Sequence, residues 1–366
     1  MSFPFNRFLS NVTQSDINAQ ITDLQNTVYY KDGRVSLTGN LNVDSNNLLN
    51  IDNMLLGHTS PSTPAAGQIS LYAKNDNNLY ITDSNGDEKK VGSEILNVKS
   101  FGATGDGITD DSANIQTGID KVKNEGGVLY FPTGTYLCNS TLNIGGNNKS
   151  FKIFGDGFDT IINSTSSSQI LSGSVVNNMI LEDIKLQGNS TTTTHGISIS
   201  DPTNVVINHV YVQNYTSTGI LLFSGDLARG GFKNNYVKNC IVNGSDVGNN
   251  GILFADLDHS HMIDCNVSNL DLTGSPSYGL QLKNDCQNCS VIGGVADTCR
   301  GGVAFGLDND SVTNISAQNC VVSSVSIKNC IFGFLGGACS NNTITNLNID
   351  MNNLVNSNEA FRFLGG

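Results

Sequence analysis

Residues 98–137 read VKSFGATGDGITDDSANIQTGIDKVKNEGGVLYFPTGTYL, the most informative stretch of the chain. Gly102, Gly105 and Gly107 punctuate a polar turn, and glycine is the residue that takes positive φ without steric cost. Thr109 is placed to cap a helix, with Asp110 and Asp111 in its first turn where carboxylates complement the helix dipole. Ile115, Ile119 and Val122 then fall at i, i+4 and i+7, a single narrow apolar stripe. Gly126 and Gly127 stop the helix, residues 128–131 read as a short apolar strand, and residues 132–136 as a turn. A short helix with one apolar face, followed at once by a strand, suits a lid over an open core.

The run resembles the N-terminal signature of the pectate-lyase-like family of parallel β-helices. That signature is V-x-x-[FY]-G-A-x-G-D-G-x-T-D-D, an amphipathic helix, then G-G-x-[VL]-x-[FV]-P-x-G-x-Y. The resemblance implies an all-β, right-handed parallel β-helix (a solenoid) over residues 97–353, lidded by a helix near residues 110–124. It implies a fold more than a reaction, since the motif is shared by polysaccharide-degrading enzymes and by viral tailspikes.

Downstream, the chain repeats imperfectly. A Gly followed by an apolar strand recurs at Gly196, Gly219, Gly251, Gly279, Gly302 and Gly333. A polar residue before an apolar one recurs at Asp183-Ile184, His209-Val210, Asn239-Cys240, Asp264-Cys265, Asn319-Cys320 and Asn346-Leu347. Fixed strand cores with variable gaps indicate a constant wall and variable loops, hence stacked coils that bury a core only together. Asn239, Asp264, Asn319, Asn329 and Asn346 are expected to stack as one polar ladder at a bend.

Residues 1–34 form a candidate attachment and coiled-coil segment, because Ile17, Ile21, Leu24 and Val28 make a short heptad seam. So short a seam is marginal alone and predicts association, as a homotrimer, or else packing on its own chain. Residues 35–96 read as a fibre-like β segment, with strands over 68–73 and 78–82 and a turn at 84–87. The spacing of Gly, Leu-Tyr and Asp there resembles segments of bacteriophage tail fibres and tailspikes. Residues 97–366 are then the β-helix.

Composition narrows the function. The 366 residues include 39 Gly and about fifty Asn, only 14% are charged, and Trp is absent, which describes turns rather than helices. A net charge of −13 argues against nucleic acid as a partner, since phosphate contacts need clustered Lys and Arg. No apolar run is long enough for membrane insertion. MSFPFNRFLS at the start has no signal-peptide core, so synthesis is expected in a host cytoplasm, with delivery on a virion as a surface appendage. Of the nine cysteines, Cys240, Cys265, Cys320 and Cys330 share the repeat context in which Ile184, Val210 and Leu347 stand elsewhere, and are expected as buried thiols. Cys286-x-x-Cys289 leaves zinc or redox chemistry open as the alternative, but no second CxxC supports it. No metal and no cofactor are expected.

The densest chemistry is Asp256-Leu257-Asp258-His259-Ser260-His261. Strand alternation would set Asp256, Asp258 and Ser260 on one face, with His259 and His261 on the other. Asp226 and Arg229, one coil earlier, would stand beside them. Asp226, Asp256 and Asp258 are the candidate acid and base groups, and Arg229, His259 and His261 the candidate glycan-binding groups. Asp residues also follow the Gly-apolar strand in coil after coil (Asp201, Asp226, Asp256 and Asp258, Asp285, Asp308), which favours turn capping over catalysis, because a catalytic pair needs to occur once. The N-T-D, D-D, G-H-G and R-I-K series of polygalacturonase-like hydrolases is absent in order, and neither Arg229 nor Arg300 has the R-x-x-R-x-P context of pectate lyases. The sequence therefore favours a virion spike or fibre that binds host-surface polysaccharide and joins other virion proteins through its N-terminal segment. A tailspike polysaccharide depolymerase, hydrolase or lyase, is the alternative.

Overall fold

The computed structural model describes residues 66, 69–73, 79–91, 95–147, 149–225, 232–272, 277–306, 317–337, 339–350 and 359–363. Two compact units divide at residues 92 and 93. The heptad seam lies outside the described residues, as do Asp226, Arg229 and Asp308.

The first unit contains an antiparallel meander of Ser70–Ala73, Leu79–Thr82 and Glu88–Val91. Asp83 makes the predicted turn, accepting the Asn85 and Asp87 amides at 2.9 Å, and Gly86 supplies the positive φ.

Among its described residues the second unit is an all-β parallel solenoid with one α-helix. The coils lie on three walls, and in two coils one strand, Met179–Gln187 or Val206–Gln213, bends across the first and second walls. A representative coil comprises Asn250–Ala255 on the third wall, His261–Ile263 on the first and Asn266–Ser268 on the second. The next repeats it with Tyr278–Lys283, Ser290–Ile292 and Val295–Asp297, paired in parallel and in register. The third wall has nine strands. Inward residues alternate along each strand and merge into one continuous core from Val98 to Phe334.

The recurrent glycines all lie in the third wall, in register one above another. The reason is close approach rather than backbone freedom. A Cβ on Gly196 would stand 2.2 Å from Val212 Cγ1, on Gly219 2.3 Å from Val242 Cγ1, and on Gly251 2.2 Å from Val267 Cγ1. The inward Val of the second wall, together with the carbonyl oxygen of the glycine one coil on (2.5 Å from a Cβ on Gly251), occupies the space where the third-wall strand has no side chain.

The corners carry the polar residues. Among the described residues, 23 non-glycine positions have positive φ and 17 of these are Asn or Asp, so the bends select for short polar side chains. Left-handed backbone costs most L-residues roughly 1–2 kcal/mol, and short polar side chains offset it with local hydrogen bonds. The expected single polar ladder is three. Asp183, His209, Asn239, Asp264 and Asn346 turn the first wall into the second, Asn178, Asn204, Asn234, Asn288 and Asn319 turn the third into the first, and Asn269 and Asn329 turn the second into the third. Stacked amides bond along these columns, as in Asn204 Nδ2 to Asn178 Oδ1 at 2.9 Å and Asn234 Nδ2 to Asn204 Oδ1 at 3.2 Å.

The helix, α1, spans Ser112–Glu125 and closes the N-terminal end, burying Ile115, Ile119 and Val122. It starts later than predicted, because Asp106 and Asp111 serve the loop. Asp111 is buried and accepts Thr104 N at 2.7 Å and Gly105 N at 3.0 Å. Asp110 takes Ser112 N at 3.0 Å. Asp106 accepts Ile108 N and Thr109 N, both at 2.8 Å, so Thr109 bonds back to Asp106 instead of capping the helix. The predicted turn over 132–136 is shorter, since Gly134–Cys138 is a strand with Tyr136 fully buried.

Two predictions follow from this packing. Gly251→Ala should destabilise by about 1–3 kcal/mol through overpacking, with Val267→Ala in the same chain recovering part of the loss. An unchanged melting temperature for the single variant would refute the close-approach account. The second concerns acid. The Asp106 carboxyl is lowered from 3.8 to about 2 by the Thr109 and Ile108 amides. A depressed carboxylate contributes stability above its unfolded pKa and loses it as pH falls through the folded one. Asp106→Asn should therefore melt below the parent near neutrality, the gap closing between pH 3.8 and about 2; a gap independent of pH would contradict this.

Candidate functional site

The Asp256–His261 segment joins the third wall to the first. Asp256 follows the strand Asn250–Ala255 with φ 57°, Leu257 turns into the core, and His259 has φ 44°. Two left-handed residues three apart break the alternation expected from the sequence. Ser260 points inward and is fully buried, while Asp258 and His259 meet, with His259 Nδ1 at 2.7 Å from Asp258 Oδ1. Ser260 donates to the Asp258 carbonyl at 3.0 Å and accepts from Asn235 Nδ2 at 3.1 Å, which makes it part of the interior corner.

The carboxylates hold the wall together. Asp256 Oδ2 accepts Asn284 Nδ2 at 2.9 Å and its Oδ1 accepts the Asp285 amide at 3.2 Å, both from the following coil. Asp258 Oδ1 accepts Asn288 Nδ2 at 2.9 Å, again one coil on, together with His259. Three of these four oxygens are thus engaged. Asp201 repeats the pattern, accepting Gly225 N at 2.7 Å. Asp226 and Arg229 lie outside the described residues, so the described part of the site is Asp256, Asp258, His259 and His261.

His261 begins the first-wall strand. Its Nδ1 lies 2.8 Å from Ser290 Oγ and its ring 5.2 Å from Tyr236. Burial, and secondarily the neighbouring His259, push its pKa below the ordinary imidazole value. His261 is therefore biased toward the neutral form, which can accept or donate a hydrogen bond. Glycoside hydrolysis asks for two available carboxyl groups flanking one bond. Asp256 and Asp258 instead offer one oxygen that the wall has not already taken.

Cys286 and Cys289, the alternative metal or redox pair, are buried in the core. Their thiols donate to the Phe254 and Leu257 carbonyls at 3.4 and 3.3 Å. Cys240 and Cys265 stack in the column of Ile184, Val210 and Leu347, as expected. Cys320 and Cys330 belong to different corners, beneath Cys289 and Cys299 respectively. Burial pushes the Cys138 thiol up to about 12. Among the described residues no group of three or more His, Cys, Asp or Glu side chains is disposed to hold a metal ion.

A second carboxylate–imidazole pair was not singled out from the sequence. Asp183 and His209 occupy the same bend in consecutive coils, with His209 Nδ1 2.7 Å from Asp183 Oδ1. The signal was present, because Asp183-Ile184 and His209-Val210 are equivalent repeat positions, and equivalent positions in adjacent coils stand about 4.8 Å apart.

The chain belongs to the rhamnogalacturonase A/epimerase, pectate-lyase-like family, whose model matches residues 95–355. Plasmin and fibronectin-binding protein A of Streptococcus pneumoniae is 41% identical over 73 residues, 19% of this chain and 10% of that protein. The Dettilon tailspike protein superposes with a TM-score of 0.54 at 14% identity, covering 67% of this chain and 46% of that one. The pre-mature gene product 12 of bacteriophage phi29 gives 0.55 at 17% identity, covering 66% and 34%. At such identities these likenesses establish the fold alone, and the chain spans less than half the length of either phage protein.

Proposed function

We propose that this pectate-lyase-like chain is a spike or fibre protein of a bacteriophage-type virion that binds host-surface glycan without cleaving it. One observation carries the preference for binding over catalysis. The carboxylates best placed by sequence, Asp256 and Asp258, are bonded by the coil that follows them. A general acid or base must exchange its proton with substrate, and a carboxylate already accepting wall hydrogen bonds is a poor candidate.

In this reading the chain is a homotrimer, assembled at least partly through residues 1–93 and joined to other virion proteins by its N-terminal segment, and it stands on the particle surface. The glycan-facing candidates are Asp226, Arg229, Asp256, Asp258, His259 and His261. The likeness in fold to phage tailspikes supports the setting. The second reading, a polysaccharide depolymerase, draws on the Asp258–His259 contact of 2.7 Å, since a carboxylate-oriented imidazole is a standard base.

The test is incubation of the purified chain with capsular and wall polysaccharide of a susceptible host. The expected outcome is retention of polymer with no new reducing ends and no unsaturated uronate absorbance. Release of oligosaccharide that disappears in Asp256→Asn and Asp258→Asn, with the oligomer intact, would replace this reading with the depolymerase.

A further inference from the structure

The corner between the first and second walls changes character along the solenoid. Later coils turn it on a single left-handed residue, Asp183 or His209. The coil before them spends residues 156–159, between Phe151–Gly155 and Thr160–Ser164. Gly157 pins this loop to the next coil by donating to the Asp183 carbonyl at 3.0 Å. The extra length carries Phe158 to the outer surface rather than into the core.

Phe158 lies across two coils. Its ring centroid is 4.5 Å from that of exposed His209 and 5.7 Å from Tyr211, at 68° to the latter. Lys185 Nζ stands 4.9 Å from the Tyr211 centroid. Among the described residues Lys185 has no carboxylate partner, although the chain carries a net charge of −13. The Asp183 carboxylate holds His209 Nδ1, leaving Nε2 as the remaining hydrogen-bonding atom of that ring.

From this juxtaposition we infer a glycan subsite at Phe158, Asp183, Lys185, His209 and Tyr211 that receives one pyranose ring of a polysaccharide. The inference rests on the glycan-binding reading but assigns it to a different corner from Asp256–His261. The ring faces carry negative quadrupole charge and suit the C–H face of a sugar, while imidazole and ammonium suit its hydroxyl rim. Sheet stability alone does not require aromatic rings at this place. In register below Tyr211 the same outward column continues as Ile241, Asn266 and Val295, and the wall forms equally well there.

The experiment applies the full chain to an array of bacterial capsular and wall oligosaccharides, then measures the affinity of each hit by saturation-transfer NMR. Phe158→Ala and Tyr211→Ala should each weaken binding about tenfold, in line with the loss of an aromatic anchor. Phe158→Tyr should restore it, and Lys185→Gln should weaken it in a folded protein with an unchanged melting temperature. Ile292→Ala, exposed on the first wall farther along the solenoid, should have no effect. Binding that survives both aromatic truncations overturns this subsite while leaving the glycan-binding function standing. An array without any hit overturns both.

Discussion

Every corner of this solenoid must turn an extended chain within a few residues while its strands stay hydrogen-bonded to the coils above and below. That constraint sets most of the sequence. It demands left-handed backbone at fixed positions, met by Asn178, Asn204 and Asn234 at one corner and by Asp183, His209 and Asn239 at another. The residue after each bend must then point inward, as Met179, Ile184, Val210, Cys240 and Cys265 do. Coils too small to bury a core alone are thereby threaded onto one continuous apolar axis. The glycine column of the third wall is the complementary concession, giving up side chains where Val212, Val242 and Val267 of the second wall come through.

The fold was legible in the sequence because its repeated requirements write themselves repeatedly. The cap signature, the Gly-apolar strands and the polar-then-apolar pairs all report backbone geometry, and all appear in the structure. What was not legible is which corner a given pair belongs to. Asn239-Cys240, Asn319-Cys320 and Asn329-Cys330 look alike because three different bends impose the same two-residue demand, and one coil contains all three. The helix start was misplaced for a related reason: Asp106, Asp110 and Asp111 are equally good capping chemistry, but loop amides claim Asp106 and Asp111.

The same economy governs the candidate site. Asp at the end of a third-wall strand caps the next turn, so Asp201 and Asp256 are explained by the wall before any substrate is considered. The alternation expected across residues 256–261 failed because Asp256 and His259 both adopt positive φ, which brings Asp258 against His259 and sends Ser260 inward. Functional chemistry on such a scaffold is best sought where a residue exceeds what the wall requires. Phe158 does, since it sits on an added loop and meets rings two coils away.

A crystal structure of the chain soaked with an oligosaccharide from a susceptible host would test whether this is a glycan-holding spike whose wall carboxylates are structural. An intact saccharide is expected over the Phe158 and Tyr211 rings, with Asp256 and Asp258 still bonded to the following coil. A cleaved product seated against Asp256 and Asp258, with those wall hydrogen bonds released, would contradict it.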